Sequence, residues 1–154
     1  FSLKQLKTFI KIKYLRTIQI PFNLVDAKEF YPILKLSKIY GLKTQVRSIL
    51  GGGLFSGFKK LDDKSNFDSI RSNWKSSNLK YYDRFKKFLD IQSNFKKISP
   101  KNNTIALMYS FIMNIDDIDE VICGGSIAKQ INHFSDFFAL KENKNIYIEY
   151  LKNK

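Results

Sequence analysis

Three short β-forming runs recur along this chain, each stopped by Pro or Gly, with helix-patterned segments between them. The first is Thr17-Ile18-Gln19-Ile20, halted by Pro21. The second runs from Lys43 to Leu50 into Gly51-Gly52-Gly53, and the third from Ile118 to Cys123 into Gly124-Gly125. Apolar, β-branched runs bounded by such breakers read as strands. Before the first, Leu3, Leu6, Ile10 and Tyr14 recur at helical spacing over residues 2–13. Between the first and second, Asp26 and Glu29 have capping-box spacing, while Pro32 confines the regular helix to about Tyr31–Tyr40. Gly41 closes that helix in the left-handed conformation.

Beyond the glycines, residues 55–98 form a long insert: a polar loop from Phe55 to about Asn78, then a helix from Leu79 to Ile98. Leu79, Tyr82, Phe85, Phe88 and Leu89, extending to Gln92, mark one side of this helix. Ser99-Pro100 opens another by cap-then-proline logic, carrying Ile105, Met108, Phe111 and Ile112. Ser126 caps a helix bearing Ile127, Ile131, Phe134 and Phe138, and a last weak helix covers about 145–152. Strands alternating with helices pair in parallel through right-handed crossovers, which makes the chain α/β. Ligands in such folds gather where strands end at their C-termini. The residues to weigh are therefore Gln19 to Asn23, Arg47 to Gly53 and Gly124 to Gln130.

With 154 residues, 44% of them hydrophobic, the chain can pack one ordinary domain. A complete (β/α)8 barrel takes about 250 residues. The start, Phe1-Ser2-Leu3-Lys4, has no initiator Met and no signal-peptide pattern, which suggests a beginning within a longer protein. No apolar run reaches the roughly 18 residues of a membrane span. The lone Cys123, inside an apolar run, excludes an internal disulfide and reads as a buried thiol in a reducing, cytoplasmic setting. The net charge of +13 raises nucleic acid or another polyanion as a partner. However, the lysines are scattered among Asn, Ile, Phe and Tyr, a mixture that AT-rich codons alone produce. A solvated, compositional charge competes with a functional basic face.

The chemistry-bearing candidates are few. Gly51-Gly52-Gly53 could bring backbone N–H groups to an anion or be a plain turn, and it matches no phosphate-loop spacing. Gly124-Gly125-Ser126 opens a helix, so phosphate binding and simple capping stand side by side. Gln19 is either a strand-end cap or an amide facing a ligand. His133 lies along a helix without an acid or thiol at ligand spacing, and Asp116, Asp117 and Asp119 read as solvated turn residues.

Taken in register, these segments resemble the aldo/keto reductases. Gln19-Ile20-Pro21-Phe22-Asn23-Leu24-Val25-Asp26 is similar to their sixth barrel strand, Gln-x-Pro-[Phe/Tyr]-Asn-x-x-Asp. Ser48-Ile49-Leu50-Gly51-Gly52-Gly53 resembles the Ser-x-Leu-x-x-Gly of strand seven, and Ile105-Ala106-Leu107 with Val121-Ile122-Cys123-Gly124 resembles the passage into strand eight. The likeness runs roughly from Ser2 to Phe138. Arg47-Ser48, where many members have Tyr-Ser, resembles a bacterial branch associated with sugar or surface-polysaccharide metabolism.

The resemblance implies a partial (β/α)8 TIM barrel, strands six to eight with their helices, as a single partial domain over residues 1–154. It implies NAD or NADP as cofactor and a small carbonyl or sugar-like substrate. By family analogy Gln19 would meet the nicotinamide carboxamide and Arg47 would stack on its ring. Ser48, Leu50 and Gly53 would line the pyrophosphate path, and Ser126 with Gln130 would hold the adenosine end. Gly124 stands where NADP-preferring members often have Lys, and Phe134 where Asn commonly holds the adenine, so both cofactors stay open. The family's catalytic Asp, Tyr, Lys and His come from the first four strands, which would precede Phe1. The expected protein is a reductase half without its proton-transfer groups, inactive alone. Its rivals are a basic half-barrel that binds nucleic acid through the helix from Leu79 to Ile98, and a scaffold that has lost catalysis.

Overall fold

The computed structural model describes residues 2–55, 79–98, 100 and 103–124. The order is α1 (Leu3–Phe9), β1 (Thr17–Pro21), α2 (Ala27–Ile39), β2 (Lys43–Arg47), a 3-10 turn (Gly51–Gly53), α3 (Leu79–Ile98), α4 (Thr104–Met113) and β3 (Glu120–Val121). The strands form one parallel sheet in the order β1-β2-β3. Thr17 pairs with Lys43, Gln19 with Gln45 and Pro21 with Arg47, while Gln45 pairs with Glu120 and Val46 with Val121. The α/β expectation therefore holds at this level, with helices as the crossovers.

One face of the sheet is apolar and the other polar. Ile18, Ile20, Thr44 and Val46 are buried, and α2 packs over β1 and β2 with Ile33 and Leu34 in the same core. α4 packs on β3 and against α3. Nearly every residue of α4 is buried, as its apolar sequence demands on all sides. On the opposite face, Thr17, Gln19, Lys43 and Arg47 stay exposed.

Several boundaries differ from expectation. α1 stops at Phe9, leaving Tyr14 78% exposed, while Ser2 and Gln5 close a capping box at its start. α2 starts at Ala27 and runs through Pro32, which lies on its exposed side and forfeits the bond to the carbonyl of Lys28, itself an exposed residue. Its end follows expectation. Gly41 at φ +64° donates to the Lys38 carbonyl and Leu42 to the Ser37 carbonyl, the Schellman arrangement. β2 ends at Arg47, not Leu50, since Ser48 turns to φ +61°. On α3 the buried stripe is Phe85, Phe88, Ile91 and Phe95. Leu79, well round the helix, is exposed, and Leu89 sits at the stripe's margin. α4 starts at Thr104, where the Asn103 side chain accepts from Ile105 N–H at 2.8 Å, and Pro100 sits in the preceding turn. β3 is shorter than its apolar run, although Asp119 and Ile122 N–H extend its ladder to the Thr44 and Val46 carbonyls.

Asp119 is more than a solvated turn residue. Its carboxylate accepts from Lys38 Nζ at 2.8 Å and from Thr44 N–H at 2.7 Å, joining α2, β2 and the approach to β3. The buried Thr44 hydroxyl donates to the Asp117 carbonyl at 2.6 Å, so this polar group is satisfied. The Lys38 hydrogen bond, aided by Thr44, lowers the Asp119 carboxyl to about 2. A carboxylate depressed on folding stabilises the fold above its unfolded value near 3.8 and loses that contribution as pH falls towards 2. Asp119→Asn is expected to cost about 1 kcal/mol at pH 7, discounted for partial exposure. It should also flatten the decline in stability between pH 4 and 2, read by urea unfolding across that range.

Candidate functional site

At the C-terminal ends of β1 and β2 the polar face meets two loops. Gln19 and Arg47 project from this same face, because both follow the period of two that buries Ile18, Ile20, Thr44 and Val46 on the other side. The Gln19 carboxamide donates through Nε2 to Gln45 Oε1 at 3.5 Å, and Gln45 Nε2 donates to Glu120 Oε2 at 2.6 Å. Lys43 closes the row as an ion pair with Glu120. This pairing holds the Glu120 carboxyl below, and the Lys43 ammonium above, their usual ranges. Arg47 Nη1 donates to Ser48 Oγ at 3.0 Å, so the cation and the hydroxyl sit together at the strand end.

The glycine turn is held largely by its own backbone. Gly51 N–H donates to the Ser48 carbonyl, while the N–H groups of Gly53 and Phe55 donate to the Leu50 carbonyl. These amides are spent inside the turn, so an open anion nest is not what they supply. The glycines answer a conformational demand: Gly51, Gly52 and Gly53 have φ of 58°, 72° and 105°. Gly51 also answers a steric one, because a Cβ there would fall 2.5 Å from the Phe55 ring. Leu50 packs half-buried against the core.

The loop after β1 is tied to α3. Asn23, buried, accepts the N–H groups of Val25 and Asp26 at 3.0 Å and donates to the Asp26 carboxylate. Asp26 occupies the N-cap position of α2, yet its side chain does not cap, and Glu29 does not reach back. The carboxylate turns instead to Arg84, which donates through Nε at 3.2 Å and Nη2 at 2.5 Å. A bidentate pair with a guanidinium outweighs a single cap bond to a backbone N–H. The Arg84 guanidinium also lies over the Phe55 ring, which stacks on Phe88 at 5.0 Å. The strand-end loops are thereby clamped to α3.

Of the residues expected at a site, Arg47 and Ser48 are brought together at the end of β2, and Leu50 and Gly53 lie in the adjoining turn. Gln19 shares the face of Arg47 but sits at the middle of β1, opposite Gln45, because the strand continues to Pro21. Ser126 and Gln130 lie outside the described residues, as do His133 and the helix expected after Gly125. Sequence reasoning missed Gln45, Glu120 and Arg84. The alternation Lys43-x-Gln45-x-Arg47 was the available signal for Gln45. Arg84 carried none, because its partner lies 58 residues away. Cys123 is half-buried instead of buried. Burial raises its thiol, and burial raises the Tyr109 hydroxyl bonded to it, so neither is an activated nucleophile. Among the described residues no cluster of three His, Cys, Asp or Glu could hold a metal ion, and no helix is long and apolar enough to cross a membrane.

The exposed side of α3 is not a one-sign surface. Asp83 and Asp90 interrupt Lys80, Lys86, Lys87, Lys96 and Lys97, and the aromatics Phe85, Phe88 and Phe95 point into the core. No family model matches the chain, and neither a curated protein nor a solved structure does.

Two kinds of substitution separate the roles of the turn. Gly51→Ala combines left-handed strain with a collision against Phe55 and is expected to cost about 2–4 kcal/mol. Gly41→Ala, at φ +64° with no atom within 4 Å of the added carbon, should cost about 1–2 kcal/mol. Equal losses in chemical denaturation would contradict the packing role given to Gly51. Arg84→Ala is expected to lose about 2 kcal/mol by the same measurement, since it leaves a partly buried Asp26 without its partner.

Proposed function

We propose that this chain is the cofactor-binding half of a nicotinamide-dependent oxidoreductase barrel of the aldo/keto reductase type, comprising strands six to eight. The observation that carries the reading is that Gln19 and Arg47 lie on one face of neighbouring parallel strands, with Arg47 bonded to Ser48 at the C-terminal end of β2. That is where α/β folds bind ligands. The donor set fits a dinucleotide: a carboxamide to pair with a carboxamide, and a cation with a hydroxyl for a phosphate. Parallel sheets are normally covered on both faces, so the polar face with Gln19, Gln45 and Glu120 reads as the inside of a barrel. The groove lined by Phe9, Ile12 and Leu15 along β1 is where a preceding strand of such a barrel would lie.

In this reading Gln19 holds the nicotinamide edge, Arg47 and Ser48 hold a phosphate or stack on the ring, and Gly53 leaves room for the chain of the cofactor. The bound dinucleotide would supply the hydride. A small carbonyl or sugar-like compound is the substrate class, and Ser126 and Gln130 are assigned to the adenosine end. The proton-transfer groups are assigned to strands beyond this chain.

Calorimetric titration with NADH and NADPH tests the reading. Binding of either, weakened about tenfold by Arg47→Ala, is expected from loss of one charge-assisted contact to an anion. Carbonyl reduction by this chain alone is expected to be undetectable. Absence of dinucleotide binding, with steeply salt-dependent RNA binding in its place, would overturn the proposal in favour of a polyanion-binding surface.

A further inference from the structure

The row of side chains across the polar face has a direction. Glu120 is an ionised carboxylate, paired with Lys43, and can only accept hydrogen bonds. Gln45 must therefore turn its Nε2 to Glu120, which leaves its Oε1 facing β1. Gln19 must then offer Nε2 to Gln45. Its own Oε1, with no donor among the described residues, is left for whatever lies over the sheet. An isolated glutamine could rotate its amide to suit a donor or an acceptor. This one is polarised by partners 26 and 101 positions further along the chain.

The geometry points to Glu120 and Gln45 as positioning residues that present Gln19 as a hydrogen-bond acceptor, selecting ligands with an N–H donor such as a primary carboxamide. The inference rests on the cofactor reading for the ligand's identity, but the row itself stands on the sheet register. Replacing Glu120 by Gln removes the fixed polarity with little change of shape. Both glutamine amides can then flip, and Gln19 can meet a ligand's donor through Oε1 or its acceptor, such as a ketone oxygen, through Nε2.

The probes are NADH and its 3-acetylpyridine analogue, whose methyl ketone replaces the carboxamide, a methyl standing in for the NH2. The wild-type chain is expected to favour NADH about fivefold, the value of one neutral hydrogen bond. Glu120→Gln is expected to erase that preference while retaining affinity for the analogue. In parallel, NMR of side-chain amides should show Gln45 and Gln19 Nε2 resonances displaced from solvent-exposed positions in the wild type and shifted back in Glu120→Gln. The backbone spectrum outside the sheet should be unchanged. Equal preference in the two proteins, or glutamine resonances indifferent to the substitution, would overturn the positioning role even if dinucleotides bind. Failure of both dinucleotides to bind, with the NMR shifts intact, would overturn the cofactor reading and leave the polarised row.

Discussion

Strand β2 is hydrogen-bonded along both edges, and the placement of Gln19, Arg47 and Ser48 passes through it. Its register with β1 sets Gln45 beside Gln19 and Arg47 beside Pro21, and its register with β3 sets Glu120 beside Gln45. Because side chains alternate strictly along a strand, a slip of one residue would carry Thr44 and Val46 to the open face and bury Gln45. The fully buried Val46 and Thr44 therefore enforce the position of the polar row as firmly as any bond within it. The Asp119 network secures the other end of the same strand, where Thr44 N–H and hydroxyl are both committed.

The clamp over the strand ends uses a different kind of force. Asp26 and Arg84 are about three-quarters covered, and the guanidinium lies on Phe55, which stacks on Phe88 and fills the space above Gly51. Charge pairing is stronger when partly withdrawn from water, provided the remaining lone pairs are met, and Asn23 meets one of them. The result is a rim tied to α3, beside which Arg47 and Ser48 sit at the end of β2. A ligand site on such a rim needs little ordering on binding.

Much of the framework was legible because it is local. β-Branched Thr17, Ile18 and Ile20 ahead of Pro21, and Gly41 after a helical run, act within a few residues of themselves, and the start of β1 and the closure of α2 fell where expected. The misplacements are equally physical. The run from Lys43 to Leu50 reads as a longer strand, but Ser48 takes a left-handed φ and ends it three residues early. Pro32 reads as a helix obstacle, yet α2 runs through it, with the proline on the exposed side. Asp26 reads as a cap until a cation from α3 competes for it. In the site, Arg47 and Ser48 were visible because strand ends are visible, and Gln19 because it precedes Pro21, whereas Gln45 and Glu120 matter only through pairing.

By itself the sequence determined the alternation of strands and helices, the apolar face of each strand, and the glycines that the turns require. These follow from side-chain period and backbone sterics, which act at short range. Tertiary structure alone decided that Asp26 faces Arg84, that Asp119 bonds Thr44 and Lys38, and that Gln19, Gln45 and Glu120 form one directed row. Those partners lie 26 to 81 residues apart. Only the register of a folded sheet and the docking of α3 bring them within hydrogen-bond distance.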